Sequence, residues 1–257
     1  MGRMAGKVAL ISGGAEGIGG TLGRMIVAEG GSVMLGDVQT DKAAELASEL
    51  GEHAASVKLD VRSLDDWNAA VAATLARFGK LTTLCNIAGI SEPGNAVDVD
   101  LDSWNRTIDI NLNGTFYGCR AAIPAMEASG EPCTIVNVGS MLAMRPGGQM
   151  AAYCASKSAV TALTKCVALD LAARGLPIRA NAVHPGAIRT PMYYRYLNSG
   201  VAAPEDIAAM FAATHPMGRS GEPEEVAQAI LFLSCADSSF TSGTDLTVDG
   251  AGSIRDR

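Results

Sequence analysis

Basic residues, histidines and long apolar runs are the scarce features of this 257-residue chain. Lys and Arg number 20 against 27 Asp and Glu, for a formal charge of −7 and a pI near 5.0. No basic run carries interleaved aromatics, and with that acidity this argues against a nucleic-acid surface. The three histidines, His53, His184 and His215, lie far apart, and the six cysteines at 85, 119, 133, 154, 166 and 235 include no C-x-x-C pair. No metal site is expected. Most of the cysteines sit in apolar runs, so reduced, buried thiols in a cytoplasmic compartment are the expectation. No apolar stretch reaches the roughly 18 residues of a membrane helix, and Val8 to Ile11 is too brief for a signal-peptide core. Convincing internal repeats and low-complexity linkers are lacking too.

What is present is a regular alternation. Strand-like runs fall near 7-12, 32-36, 54-59, 81-85, 133-138, 178-183 and 245-248, with helical stretches between them. About seven strands alternating with helices predict an α/β chain forming a doubly wound parallel sheet. The length allows one domain with a substantial core, and 48% hydrophobic residues with 29 glycines suit a buried parallel sheet with tight turns. Gly13, Asp37, Asp60, Asn86, Ser140 and Pro185 all fall at the carboxyl ends of successive strands, where such sheets bind ligands.

The run Val8-Ala9-Leu10-Ile11 leads into Ser12-Gly13-Gly14-Ala15-Glu16-Gly17-Ile18-Gly19-Gly20 and then into a helical stretch. Glycines there permit a tight turn and let backbone N–H groups approach a pyrophosphate, which the positive end of the helix also favours. The spacing is Gly-x-x-x-Gly-x-Gly, not the common dinucleotide Gly-x-Gly-x-x-Gly. Asp37 follows eighteen residues after Gly19, close to where an acid that binds ribose is expected. A carboxylate there accepts hydrogen bonds from a 2′-hydroxyl and repels a 2′-phosphate, Glu16 adds charge of the same sign, and no Lys or Arg lies between 36 and 41. NAD is therefore expected over NADP. The alternative for Asp37 is a cap on the helix that begins near Asp41.

Tyr153 and Lys157 stand four apart in a helical stretch from about Ala151 to Arg174, with Ser140 thirteen residues before the tyrosine. Positions i and i+4 share a helix face, so the ammonium can lie beneath the phenol. An isolated tyrosine titrates near about 10, and a neighbouring ammonium lowers that value toward working pH. Phenol, ammonium and hydroxyl together can move a proton to or from a carbinol oxygen, which suggests hydride-transfer chemistry. Cys154 points about 100 degrees away from Tyr153 and is read as packing.

In this order and spacing the chain resembles a short-chain dehydrogenase/reductase along nearly its whole length. The resemblance rests on Ser12 to Gly19, Asp37, Asp60-Val61, Asn86-Ile87-Ala88-Gly89, Asn111, Ser140, Tyr153 with Lys157, Pro185-Gly186 with Thr190, and Val248-Asp249-Gly250. It implies a single-domain Rossmann-type fold with helices on both faces of the sheet. It also implies a catalytic set of Asn111, Ser140, Tyr153 and Lys157, with Asn111 positioning a water behind Lys157. The cofactor set it implies is Ser12, Gly13, Glu16, Gly17, Ile18, Gly19 and Asp37 with Asp60 and Val61 at the adenine. Asn86, Ala88 and Gly89 line the cleft, Tyr153 and Lys157 contact the ribose side, Pro185 and Gly186 belong to the same set, and Ile188 and Thr190 hold the carboxamide. Three positions depart from the family pattern: Ser12 for the commoner threonine, Ile87 for a second asparagine, and Ala251 within the closing glycine pair.

Substrate contacts are expected from Ser140, Leu142, Met150, Tyr153, Met192 and Tyr196, with Pro191 to Pro216 resembling a mobile lid interrupted by Gly200 and Pro204. These segments are mostly apolar, and methionines and tyrosines suit a bulky cyclic, aromatic or steroid-like secondary alcohol or ketone; packing of the core or of subunits would use the same residues. A homo-oligomer, dimer or tetramer, is implied through the alanines of the 151-174 helix, which could instead face the sheet. Two alternatives stand: a 3-oxoacyl carrier-protein reductase, which the acidic charge and Asp37 disfavour, and a non-catalytic dinucleotide-binding sensor or assembly subunit.

Overall fold

The structure, a computed structural model, describes residues 2–256. Seven strands form one sheet: β1 (Val8–Ser12), β2 (Ser32–Asp37), β3 (Ala54–Lys58), β4 (Thr83–Asn86), β5 (Cys133–Val138), β6 (Ile178–Pro185) and β7 (Asp245–Val248). Every pairing is parallel, in the order β3-β2-β1-β4-β5-β6-β7. The order reverses between β1 and β4, which opens a crevice beyond their carboxyl ends, the place where doubly wound sheets take ligands.

The central strands are apolar along their length because both of their faces are covered. On β1, Ala9 and Ile11 enter one core with Leu22, Ile26, Leu35, Val226 and Ile230, while Leu10 enters the other with Trp67, Leu84, Met126, Ile135 and Leu171. The first core lies under helices α1 (Gly17–Ala28), α2 (Thr40–Leu50) and α9 (Pro223–Ser234). The second lies under α3 (Leu64–Phe78), α5 (Gly114–Ser129) and α6 (Ala151–Ala173). Ser63 caps α3 by accepting from the Asp66 amide at 3.0 Å, and Gly79 ends it with φ of +81°, a left-handed conformation that favours glycine. Helix α4 (Leu101–Ile108) runs into a wide π turn at Asp109–Asn113 before α5, and two short helices, α7 (Pro191–Leu197) and α8 (Pro204–Ala213), cover the crevice side after β6.

Strand limits follow the sequence reading to within two residues, and the helix expected from Ala151 to Arg174 spans Ala151–Ala173. The largest extension is at β6, which continues through His184 and Pro185 because these pair with Thr247 and Val248 of β7. Among the described residues no helix is long and apolar enough to cross a membrane.

Candidate active site

The glycine turn after β1 forms the floor of an open cleft of about 470 Å³. Gly13 has φ of +71°, and a Cβ on it would lie 2.9 Å from the Ala88 backbone; one on Gly19 would lie 2.0 Å from the Gly13 carbonyl oxygen. Only glycine lets the two backbones close in this way, and the same bareness leaves room for a pyrophosphate at the start of α1. Gly13, Glu16, Gly17, Ile18, Gly19, Asp37, Asp60, Val61, Ala88, Gly89 and Thr190 all line this cleft.

Asp37 is buried at its edge, with Oδ2 accepting from the Ala15 amide at 3.1 Å and Oδ1 from the Gln39 amide at 2.9 Å. It does not cap α2, whose N-cap position is Gln39. Two nearby cations are paired, Lys42 with Glu16 at 2.6 Å and Arg62 with Asp60 at 2.6 Å, while the exposed Arg195 of α7 lines the cleft on the Glu16 side. Burial acts to raise the Glu16 carboxyl, but its bonds from Lys42 and Gln39 hold it below its usual range; the Arg62 guanidinium does the same for Asp60. This end of the cleft therefore presents carboxylates fixed in their charged form.

Ser140 follows β5 in an extended conformation, and its Oγ accepts from the Leu142 amide at 3.1 Å. Its hydrogen is directed to the Tyr153 phenol oxygen. Tyr153 and Lys157 project from the first turns of α6, with the Lys157 Nζ 5.9 Å from the Tyr153 ring centre. Lys157 is buried and donates to the Val138 carbonyl at 2.8 Å. A methyl group on Gly89 would lie 3.4 Å from that Nζ and 3.1 Å from Asn111 Oδ1, so this bare glycine opens the cleft directly onto the lysine and asparagine. The buried Asn111 sits in the π turn, a feature frequent at functional sites. Its amide clamps Ile90, accepting from the backbone N–H and donating to the carbonyl, each at 2.9 Å, and donates to Ser156 Oγ at 3.1 Å.

The protonation expected of the tyrosine needs correction. The tyrosine is not lowered toward neutrality: burial pushes the Tyr153 phenol up to about 12, against the pull of the Ser140 hydroxyl. Burial also brings Lys157 down to about 8, and its ammonium is directed at a carbonyl, not at the phenol. Ser12 and Asn86 support the cleft from behind. The Ser12 hydroxyl accepts from the Ile87 and Ala88 amides at 3.2 and 3.3 Å, and the Asn86 side chain turns into the sheet, its Nδ2 donating to Asn137 Oδ1 at 2.8 Å while its buried Oδ1 has no partner among the described residues. Pro185 is held in the sheet, paired with Val248 of β7. Gly186 and Ile188 line a separate cavity of about 350 Å³, because the loop after β6 folds onto β7 and Gly221.

Of the expected substrate residues, Leu142 adjoins Ser140, Met192 lines the cleft, and Met150 precedes α6. The Tyr196 hydroxyl reaches across to Ser91 Oγ at 3.0 Å and Met150 Sδ at 3.8 Å. Ser91, Ser156 and His184 were not singled out by sequence reasoning. Ser156 carried a faint signal, three residues after Tyr153 on the same helix; its hydroxyl donates to the Tyr153 carbonyl at 2.8 Å.

A family model described as enoyl-(acyl carrier protein) reductase matches residues 13–252. The chain belongs to the short-chain dehydrogenase/reductase family. It is an oxidoreductase of CH–OH groups, as its relatives are. It is 36% identical over 255 residues, 98% of each chain, to the 2,5-dichloro-2,5-cyclohexadiene-1,4-diol dehydrogenase LinX of Sphingobium indicum. It is 38% identical over 249 residues, 97% of this chain and 96% of the relative, to the 3-beta-hydroxysteroid dehydrogenase of Comamonas testosteroni. Among solved structures, the 3-ketoacyl-(acyl-carrier-protein) reductase of Brucella melitensis complexed with NADH superposes with a TM-score of 0.88 at 34% identity, covering 98% of this chain and 100% of that one.

Proposed function

We propose that this short-chain dehydrogenase uses NAD to interconvert a bulky hydrophobic secondary alcohol, cyclic or steroid-like, and its ketone. The observation that carries this reading is the meeting of Ser140, Tyr153 and Lys157 beside a glycine-floored cleft edged by Asp37. The residues fit a dinucleotide: the cradle at Gly13 and Gly19 excludes side chains where a pyrophosphate would lie, and Asp37 suits a ribose diol. Bound NAD supplies the hydride acceptor. The Ser140 hydrogen, which meets the Tyr153 phenol oxygen when no substrate is present, donates to the substrate oxygen and steadies its growing charge. Tyr153 exchanges the proton of that oxygen, giving it to a ketone and taking it from an alcohol, while Lys157 supplies positive charge behind it.

The cyclic diol and steroid substrates named for the two relatives favour this substrate class, as do the apolar Leu142, Met150 and Met192. The carrier-protein reductase reading draws on one solved neighbour, but a net charge of −7 offers little to an acidic carrier. Residues Pro191 to Pro216 act as the substrate lid. Five of the six cysteines are buried and all are free, which supports residence in a reducing, cytoplasmic compartment. A homo-oligomer, dimer or tetramer, is supported by apolar side chains left outside, among them Leu169 on α6 and Phe240 before β7.

The test is absorbance at the reduced-nicotinamide band, with NAD and NADP in parallel, over aliphatic, cyclic, aromatic and steroid secondary alcohols. Turnover with NAD on a cyclic or steroid class is expected. Turnover with NADP alone overturns the Asp37 assignment, and preference for short aliphatic alcohols overturns the substrate class.

A further inference from the structure

Behind Ser140, which follows β5, side chains tie the carboxyl end of β6 to the first residue of β7. His184 of β6, fully enclosed, places Nε2 3.0 Å from Asp245 Oδ1 on β7. The other oxygen of Asp245 receives Lys165 Nζ from α6 at 2.5 Å, and Lys165 is half exposed. A carboxylate held by an ammonium only accepts, so Nε2 donates to it, and Nδ1, facing a backbone N–H, is the acceptor. That nitrogen faces the Ser140 backbone N–H at 3.2 Å, with the Ser140 carbonyl oxygen 3.1 Å away. The ring lies flat against the preceding peptide: a Cβ on Gly139 would sit 2.4 Å from it. The chain Lys165, Asp245, His184 thus runs from solvent to the backbone of the residue that would meet the substrate oxygen.

The contact has a geometric consequence. Ser140 is held at φ −169° and ψ 154°, and Gly139 is fixed to Val183 by a 2.8 Å backbone hydrogen bond. With both peptide ends secured, only the χ1 torsion of Ser140 remains to place its hydroxyl, and the Leu142 amide settles that. We propose that His184, oriented by Asp245 and Lys165, is a positioning residue that holds Ser140 where its hydroxyl can meet the substrate oxygen. This rests on reading Ser140 as the group that orients that oxygen. Misplacing a reacting group by about 1 Å costs on the order of 100-fold.

A double-mutant cycle with kcat, KM and the Kd for NAD as readouts tests it. His184→Leu is expected to lower kcat by roughly 10- to 100-fold, with KM and the Kd for NAD within about two-fold. His184→Asn keeps an acceptor near the Nδ1 position and should recover most of the loss, whereas His184→Gln keeps only the donor toward Asp245 and should not. In a Ser140→Ala background His184→Leu should cost nothing further, because coupled groups are non-additive. Equal losses in both backgrounds, or a changed Kd for NAD with kcat intact, overturn the proposal. If the leucine variant does not fold, Asp245→Asn enters the same cycle with the same criteria. Wild-type turnover by Ser140→Ala alone would instead overturn the reading of Ser140, a separate and distinguishable failure.

Discussion

At the scale of single residues, the candidate site is governed by desolvation. A phenol at about 12 is protonated at neutral pH, ready as an acid for ketone reduction, and oxidation should gain with rising pH as the base form is populated. Tyr153→Phe removes the only proton the ring can exchange while leaving the cleft floor untouched. Its kcat should fall by at least about 100-fold, the size of an acid-base contribution, with the Kd for NAD by fluorescence quenching nearly unchanged; half-normal turnover would remove Tyr153 from this role. Lys157 gives an independent prediction. It titrates near 10.5 when unfolded and about 8 when folded, so between those values the unfolded chain binds more protons and stability rises with pH. The cost of charging the buried amine is present below about pH 8 and is relieved above it. From pH 7.5 to 9.5, urea unfolding of the wild type should gain on the order of 2 kcal/mol relative to Lys157→Met; parallel curves would mean that the amine stays charged throughout. The identities of Ser140, Tyr153 and Lys157 were legible because their chemistry resides in residue type and short spacing. Their protonation was not, since it depends on how much protein surrounds each group, and His184 was not, since its partners stand 44 and 61 residues away.

At the scale of elements, the strands were readable because a parallel sheet covered on both faces demands short apolar runs. The two extra residues of β6 were not, because His184 and Pro185 are strand only by pairing with β7, sixty-three residues on. The expected lid at 191-216 resolves into α7 and α8, with Gly200 at φ +77° in the link and Pro204 opening α8. What the sequence could not supply is how α7 and α8 are tied to the rest of the chain. The Tyr196 hydroxyl spans from α7 to Ser91, on the loop after β4, and its ring packs edge-on against Phe211 of α8 at 6.0 Å. This one hydroxyl, within reach of Ser91 Oγ, the Ser91 carbonyl at 3.3 Å and Met150 Sδ, thus joins α7 to the opposite wall of the cleft. Losing it costs the closed form about 1 kcal/mol, roughly five-fold in population. Tyr196→Phe should therefore raise KM for the alcohol by about five-fold and speed amide exchange in α7, with the Kd for NAD constant. An unchanged KM with unchanged exchange would show that Ser91 does not secure the lid.

At the scale of the whole molecule, the distribution of apolar surface points to assembly. Helices α5 and α6 are bridged at their C-terminal ends by Glu127 and Arg174 at 2.5 Å, and both cover the same core. The alanines of α6 divide between the two readings: Ala168 is buried in the core against the sheet, whereas Ala155 and Ala162 are exposed. Leu169 lies one to two turns beyond Ala162 and is 71% exposed, and Phe116 on α5 is 42% exposed. Small residues beside large apolar ones let a second helix pair approach closely, and burying a leucine contributes about 1.5–3 kcal/mol. A second patch, Phe232 and the fully exposed Phe240, flanks β7, whose free edge ends the sheet. Two separate patches allow a dimer of dimers, each interface isologous. Light scattering of the wild type should give two or four times the 26.4 kDa chain mass. Leu169→Glu would bury a charge in both copies of one interface and should halve that mass or yield the single chain at micromolar concentration. Phe240→Ser should act on the other interface alone, taking a tetramer only to a dimer. A wild type that runs as a single chain at all concentrations would leave these side chains as ordinary surface, and the alanines of α6 without a partner beyond the sheet.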